Sequence, residues 1–145
     1  MVSSQAMLSN LMVDLQNEQK HMLYYLRAAS IVTGPHREEY KEFFLEEAKS
    51  ELNHVHEFMD AIVYLGGNPE MSMPSIKSVY GLNLTLLLSN AIELEEEVAK
   101  NYTARLAQTE GMTSPEEAWI HLFYEDQLQD SWKAAQEMKK MISSL

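Results

Sequence analysis

The run Glu51-Leu52-Asn53-His54 places a carboxylate and an imidazole three residues apart, and on a helix that spacing puts both on one face. Carboxylate oxygen together with a neutral imidazole nitrogen suits iron or zinc. Three more acids fall among apolar residues at helical spacing. Glu18 sits in the stripe of Leu11, Leu15, Met22 and Tyr25. Glu95 sits in that of Leu84, Leu87, Ala91, Leu94, Val98 and Tyr102. Asp130 follows Gln127 by three residues, and Gln127 lies near the middle of the face made by Ile120, Phe123, Tyr124, Ala134, Met138 and Met141. Burying a carboxylate costs several kcal/mol unless something compensates. Glu18, Glu51, Glu95 and Asp130 bring four negative charges, which two divalent cations would balance. An internal two-ion centre is the chemistry these residues imply.

The elements that must position them are four helices. The 5 Gly and 4 Pro of this 145-residue chain cluster at three places and leave four periodic segments, about 4–32, 35–65, 82–109 and 114–143. Gly34-Pro35 ends the first and is expected to begin the second, with Pro35 in the first turn. Ser114-Pro115-Glu116-Glu117 reads as an N-cap, a Pro at the first position and a capping box. The sixteen or so residues from Gly66 to Gly81 carry Pro69 and Pro74 and little periodicity. At ~3.3 Å per residue they can span about 50 Å, more than the ~42 Å of a 28-residue helix. The expected fold is all-α: a four-helix bundle of two antiparallel hairpins joined by a long crossover, one domain over residues 1–145.

Helical phase selects among the glutamates of the third segment. At ~100° per residue Glu95 lies within roughly 30° of the stripe centre, and Glu93, Glu96 and Glu97 lie more than about 90° away. A rival register uses Glu93 with Asp126 and Gln129, at the cost of turning them off the apolar faces. His21, His36, His56 and His121 read as surface residues, and the ten Met as core filler.

Composition removes other chemistries. With no Cys, thiolate zinc sites, Cys nucleophiles and redox pairs are excluded. Against 22 acidic residues there are 11 basic, a net charge of −11, which argues against a nucleic-acid surface and suits a protein that meets cations. No apolar run approaches the ~20 residues that cross a bilayer, so no membrane partner is expected. The N-terminus shows neither a basic region nor an apolar segment of a secretory signal, and a cytoplasmic location is expected.

Over essentially its whole length the sequence resembles the ferritin and bacterioferritin family. Glu18 followed seven residues later by Tyr25, Glu51-Leu52-Asn53-His54, Leu65-Gly66-Gly67-Asn68-Pro69 and Ala91-Ile92-Glu93-Leu94-Glu95 carry the likeness. The resemblance implies Glu18 and His54 as terminal ligands of one iron, Glu51 as a bridge, Glu95 as ligand of a second iron, and Tyr25 beside the centre. Bacterioferritins have a second Glu-x-x-His on the last helix. Here Gln127-Leu128-Gln129-Asp130 stands instead, similar to the Gln-x-x-Glu of non-haem bacterial ferritins with a shorter acid. Leu52 occupies the position of the family's haem-ligating Met, so no haem is expected.

The resemblance implies a ferroxidase and iron-storage protein: two Fe ions per subunit, oxidised from Fe(II) to Fe(III) by dioxygen or hydrogen peroxide, with Glu51, His54 and Tyr25 in the catalytic centre. It also implies a homo-oligomer, as a 24-mer, a 12-mer or a smaller assembly, since the sequence given stops before the short fifth helix of many ferritins. Alternatives on the same bundle are a rubrerythrin-like peroxidase, which the absence of Cys disfavours, and a manganese catalase. A non-enzymatic helical module with a degenerate metal site is the remaining alternative.

Overall fold

Each of the four periodic segments is a helix in the computed structural model, which describes residues 3–71 and 74–145. Helix α1 spans Ser4–Ile31, α2 Arg37–Tyr64, α3 Leu84–Gln108 and α4 Pro115–Ser143, with no strand among the described residues. α1 packs along α2, α3 packs along α4, and α1 also meets α3. Two antiparallel hairpins joined by the long crossover of residues 65–83 therefore form the four-helix bundle.

The helix starts follow side-chain chemistry. Ser3, Asn83 and Ser114 each accept a backbone N–H from the third residue onward, at 3.2, 2.9 and 3.1 Å. Ser114 also donates its hydroxyl to Glu117 Oε1 at 3.0 Å, so serine and glutamate lock the first turn of α4 together. The second helix departs from expectation: it begins at Arg37, two residues after Pro35. The reason is a turn in which Arg37 donates to the Gly34 carbonyl at 3.2 Å, making Pro35 and His36 the turn's central residues. α2 ends in a paired-hydrogen-bond cap, with Gly66 donating to Val63 and Gly67 to Ile62. Gly66 has φ +85°, open to glycine without penalty.

Two apolar clusters fill the bundle. One gathers Tyr24, Tyr25, Phe44, Leu87, Ala91 and Met138; the other gathers Leu11, Leu15, Phe58, Val98, Tyr102 and Ile120. Between them along every helix lies a buried polar level: Glu18 and His21 on α1, Glu51 and His54 on α2, Glu95 on α3, Gln127 and Ser131 on α4. Methionine is only partly core filler: Met7 and Met138 are buried, whereas Met71 is 61% and Met112 40% exposed.

Candidate metal centre

The carboxylate-imidazole pairs of the polar level come from α1 and α2. Glu18 and His21 are three residues apart on α1, as Glu51 and His54 are on α2, so each helix aims a carboxylate and an imidazole inward from one face. All four side chains are buried, and so is Glu95 opposite them. Ligand-type atoms of Glu18, Glu51 and His54 lie within 4.8 Å of one another. Those of His21, Glu51 and Glu95 do the same, so two triads share Glu51.

Distances show which atoms face the centre. His54 Nδ1 lies 3.3 Å from Glu51 Oε2 and 3.5 Å from Glu18 Oε2, and its Nε2 lies 2.9 Å from Asp130 Oδ2. His21 Nδ1 lies 3.7 Å from Glu95 Oε1. The hydroxyl of Tyr25 donates to Glu95 Oε1 at 2.9 Å, and that of Tyr102 donates to Glu18 Oε1. Glu18 Oε2, His21 Nδ1 and Glu95 Oε2 are buried without a hydrogen-bond partner. Such atoms carry a penalty of about 1–3 kcal/mol each unless a partner satisfies them. Bound cations would satisfy all three, and a pair of carboxylate-imidazole triads fits divalent iron.

Burial raises the Glu51 pKa well above its ordinary value, and the charges of Glu18 and Glu95 add to the rise. Burial acts in the same direction on Glu18, but the adjoining Glu51 and His54 and the charges of His54 and His21 outweigh it and hold Glu18 low. His54 is opposed by burial yet pushed up to about 9 by Glu18 and Asp130. Protons on Glu51 and His54 thus stand in for cations in the metal-free protein, and a metal ion must displace them. Divalent-metal binding is accordingly expected to release protons at neutral pH and to tighten as pH rises toward about 9. Calorimetry in two buffers of different ionisation enthalpy measures this; equal heats would count against the two protonated ligands.

A cleft of about 440 Å³ reaches this level, lined among others by Glu47, Glu51, His54, Asp130, Lys133 and Glu137. Glu47 is pushed up to about 7 by burial, with the charge of Glu95 adding to it.

The family model described as Ferritin-like domain matches residues 8–145. The chain belongs to the ferritin-like family. Its structure is similar to that of a ferritin-like, diiron-carboxylate protein from Bacillus anthracis str. Ames, with 24% identity over 98% of this chain and 99% of that one and a TM-score of 0.86. Dps from Thermosynechococcus elongatus is 17% identical over 93% of this chain and 88% of its own, with a TM-score of 0.79. A dodecameric thioferritin, the bacterioferritin-related protein from Bacteroides fragilis, is 19% identical over 99% of this chain and 92% of its own, with a TM-score of 0.68. Comparison with curated protein sequences gives no match.

Within this ferritin-like bundle Glu18, Glu51, His54, Glu95 and Tyr25 converge on one level. The α4 candidates stand differently. Gln127 is buried; its amide nitrogen donates to Glu57 Oε2 at 2.8 Å and its Oε1 has no hydrogen-bond partner. Asp130 is 58% exposed and meets the outer nitrogen of the His54 ring. Neither belongs to the two triads. Of the rival register, Glu93 is exposed and pairs with Lys77 at 2.6 Å, while Asp126 and Gln129 are exposed.

His21 is not a surface residue: it is 2% exposed, because α1 is covered by both α2 and α3 and its buried face is wider than the apolar stripe suggests. The signal available in the sequence was the second Glu-x-x-His, Glu18 to His21. His121 is also largely covered, its Nδ1 lying 2.8 Å from Thr109 Oγ1. Tyr102 and Glu47, the hydroxyl on Glu18 and the acid in the cleft, were not singled out by sequence pattern either.

Proposed function

We propose that this protein is a ferroxidase that binds two Fe(II) ions at the level of Glu51 and oxidises them to Fe(III). The observation that carries the reading is the sharing of Glu51 by two buried triads. It supports two cations side by side, each with oxygen and imidazole donors. Dioxygen needs two electrons and two protons to become hydrogen peroxide, and peroxide needs the same to become two waters. One Fe(II) supplies a single electron, so a paired site matches either oxidant.

The residues divide the work. His54 presents Nδ1 to the centre while Asp130 accepts from Nε2–H, which fixes the ring and its tautomer. Tyr25 and Tyr102 have pKa values raised well above the ordinary range, chiefly by burial and then by the glutamates beside them. They remain hydrogen-bond donors and hold Glu95 and Glu18 in place. Glu47, Asp130 and Glu137 give the cleft a preponderance of acids over Lys133, an electrostatic route for Fe(II).

Support for iron as the substrate comes from the ferritin-like family and from its resemblance to the diiron-carboxylate protein of Bacillus anthracis. The dodecameric relative and the exposed Leu52, Val63, Tyr64 and Trp132 favour a homo-oligomer, and no described helix is long and apolar enough to cross a membrane. Whether the assembly encloses an iron store is decided by its mass together with the iron retained per chain.

The test is to load the metal-free protein anaerobically with Fe(II), admit oxygen or peroxide, and follow the near-ultraviolet absorbance of Fe(III). Oxidation much faster than in protein-free buffer is expected; oxidation at the buffer rate would overturn the reading. Glu95→Ala should slow it at least about 10-fold and Glu93→Ala should leave it unchanged, since ligand loss exceeds the 10–100-fold cost of losing a ligand's supporting partner. The reverse ranking would transfer the role to the rival register.

A further inference from the structure

We propose that His21 is the imidazole ligand of the second ion, which is held by His21, Glu51 and Glu95 from α1, α2 and α3, while α4 supplies no imidazole to it. The proposal rests on the two-ion reading above and assigns the position that the missing Glu-x-x-His of α4 leaves open.

Three observations carry it. Glu18 to His21 repeats on α1 the spacing of Glu51 to His54 on α2, so the two helices of one hairpin present matching carboxylate-imidazole pairs. The ligand-type atoms of His21, Glu51 and Glu95 already lie within 4.8 Å of one another. His21 Nδ1 is buried in a side chain 2% exposed and has no hydrogen-bond partner, although Glu95 stands 3.7 Å away. A buried nitrogen without a partner carries a cost that a bound cation would remove. Glu95 Oε2 is unpartnered in the same way.

α4 has a different part. Asp130 Oδ2 takes the Nε2–H of His54 at 2.9 Å, on the side of the ring away from Glu18 and Glu51. Gln127 gives its amide N–H to Glu57, and its buried, unpartnered Oε1 can offer an oxygen but no imidazole. The last helix thereby supports the ligand of the first ion, and the second ion takes its imidazole from the first helix.

The discriminating experiment uses anaerobic Co(II) with the metal-free full-length protein. It measures ions bound per chain by equilibrium dialysis and hyperfine-shifted imidazole N–H resonances by proton NMR. The unsubstituted protein is expected to bind two ions and to show two such resonances. His21→Ala should bind one ion and lose one resonance; His54→Ala should bind one and lose the other; His56→Ala, on the exposed face of α2, should keep both. His21→Leu fills the volume without a donor atom and should behave as His21→Ala if the alanine variant does not fold. Two ions at unchanged affinity in folded His21→Leu, with one lost instead in Gln127→Ala, would overturn the assignment and leave the two-ion reading standing. Failure of the unsubstituted protein to bind two ions would overturn both.

Discussion

Glu51→Ala should abolish rapid Fe(II) oxidation, lowering the rate at least about 100-fold, because removing even an outer partner of a metal ligand costs 10–100-fold and Glu51 itself belongs to both triads. No other side chain among the described residues has that position. His54→Ala or Glu95→Ala deprives one triad of a member, whereas Glu51→Ala opens both. The fold should survive, since Glu51 fills a polar level between two apolar clusters and anchors neither. Glu51 is an acid whose ionisation is opposed by burial and by the charges of Glu18 and Glu95, so its removal takes away an unfavourable buried polar group and the metal-free variant should melt no lower than the parent. Stopped-flow absorbance with Fe(II) and a thermal melt of the metal-free protein check the two halves. Undiminished oxidation would remove the diiron reading, and a large fall in melting temperature would show that Glu51 holds the bundle together.

Arg105→Ala should produce the largest loss of stability, about 3 kcal/mol, the low end of the cost of stripping one partner from a buried ion pair. Asp14 is fully buried on α1 and receives Arg105 Nε at 3.0 Å, Arg105 Nη2 at 3.2 Å and the Tyr124 hydroxyl at 2.6 Å. Arg105 is the only cation hydrogen-bonded to it among the described residues. For a chain of this size the loss corresponds to roughly 6–12 °C in melting temperature.

The pH dependence identifies the mechanism. Burial raises the Asp14 pKa despite the lowering by Arg105 and Tyr124. The folded state therefore binds this proton more tightly than the unfolded state, and Asp14 contributes less to stability as pH rises through that interval. Without Arg105 the pKa rises further and the interval extends upward. The variant's deficit should accordingly be large at pH 7.5 and smaller at pH 5, as read from denaturant unfolding of the metal-free protein at the two values. An equal deficit at both would mean that Arg105 acts through packing and not through its charge.

Four helices, their approximate limits and three of the inward acids, Glu18, Glu51 and Glu95, were legible in the sequence because helix formation and phase are local; Asp14 was not, and Asp130 proved 58% exposed. Ser114 and Glu117 announce the start of α4 within one turn, and a 100° rotation per residue is enough to separate Glu95, 1% exposed, from Glu93, which is exposed. The long crossover was legible for the same reason, from Pro and Gly breaking the period. Helical phase gives a direction relative to one apolar stripe, however, and not the identity of the neighbour met there. His21 sits toward the side of α1 covered by α3, so only the packing of a third helix buries it against Glu95. Asp130 and His54 are 76 residues apart, and Asp14 and Arg105 are 91 apart. No spacing rule reaches across those separations, because such contacts depend on the relative rotation and axial offset of whole helices. Local periodicity thus turned Glu18, Glu51 and Glu95 toward the centre of this protein. Tertiary packing decided which of them meet, since a ligand set exists only where side chains from different helices arrive at one level.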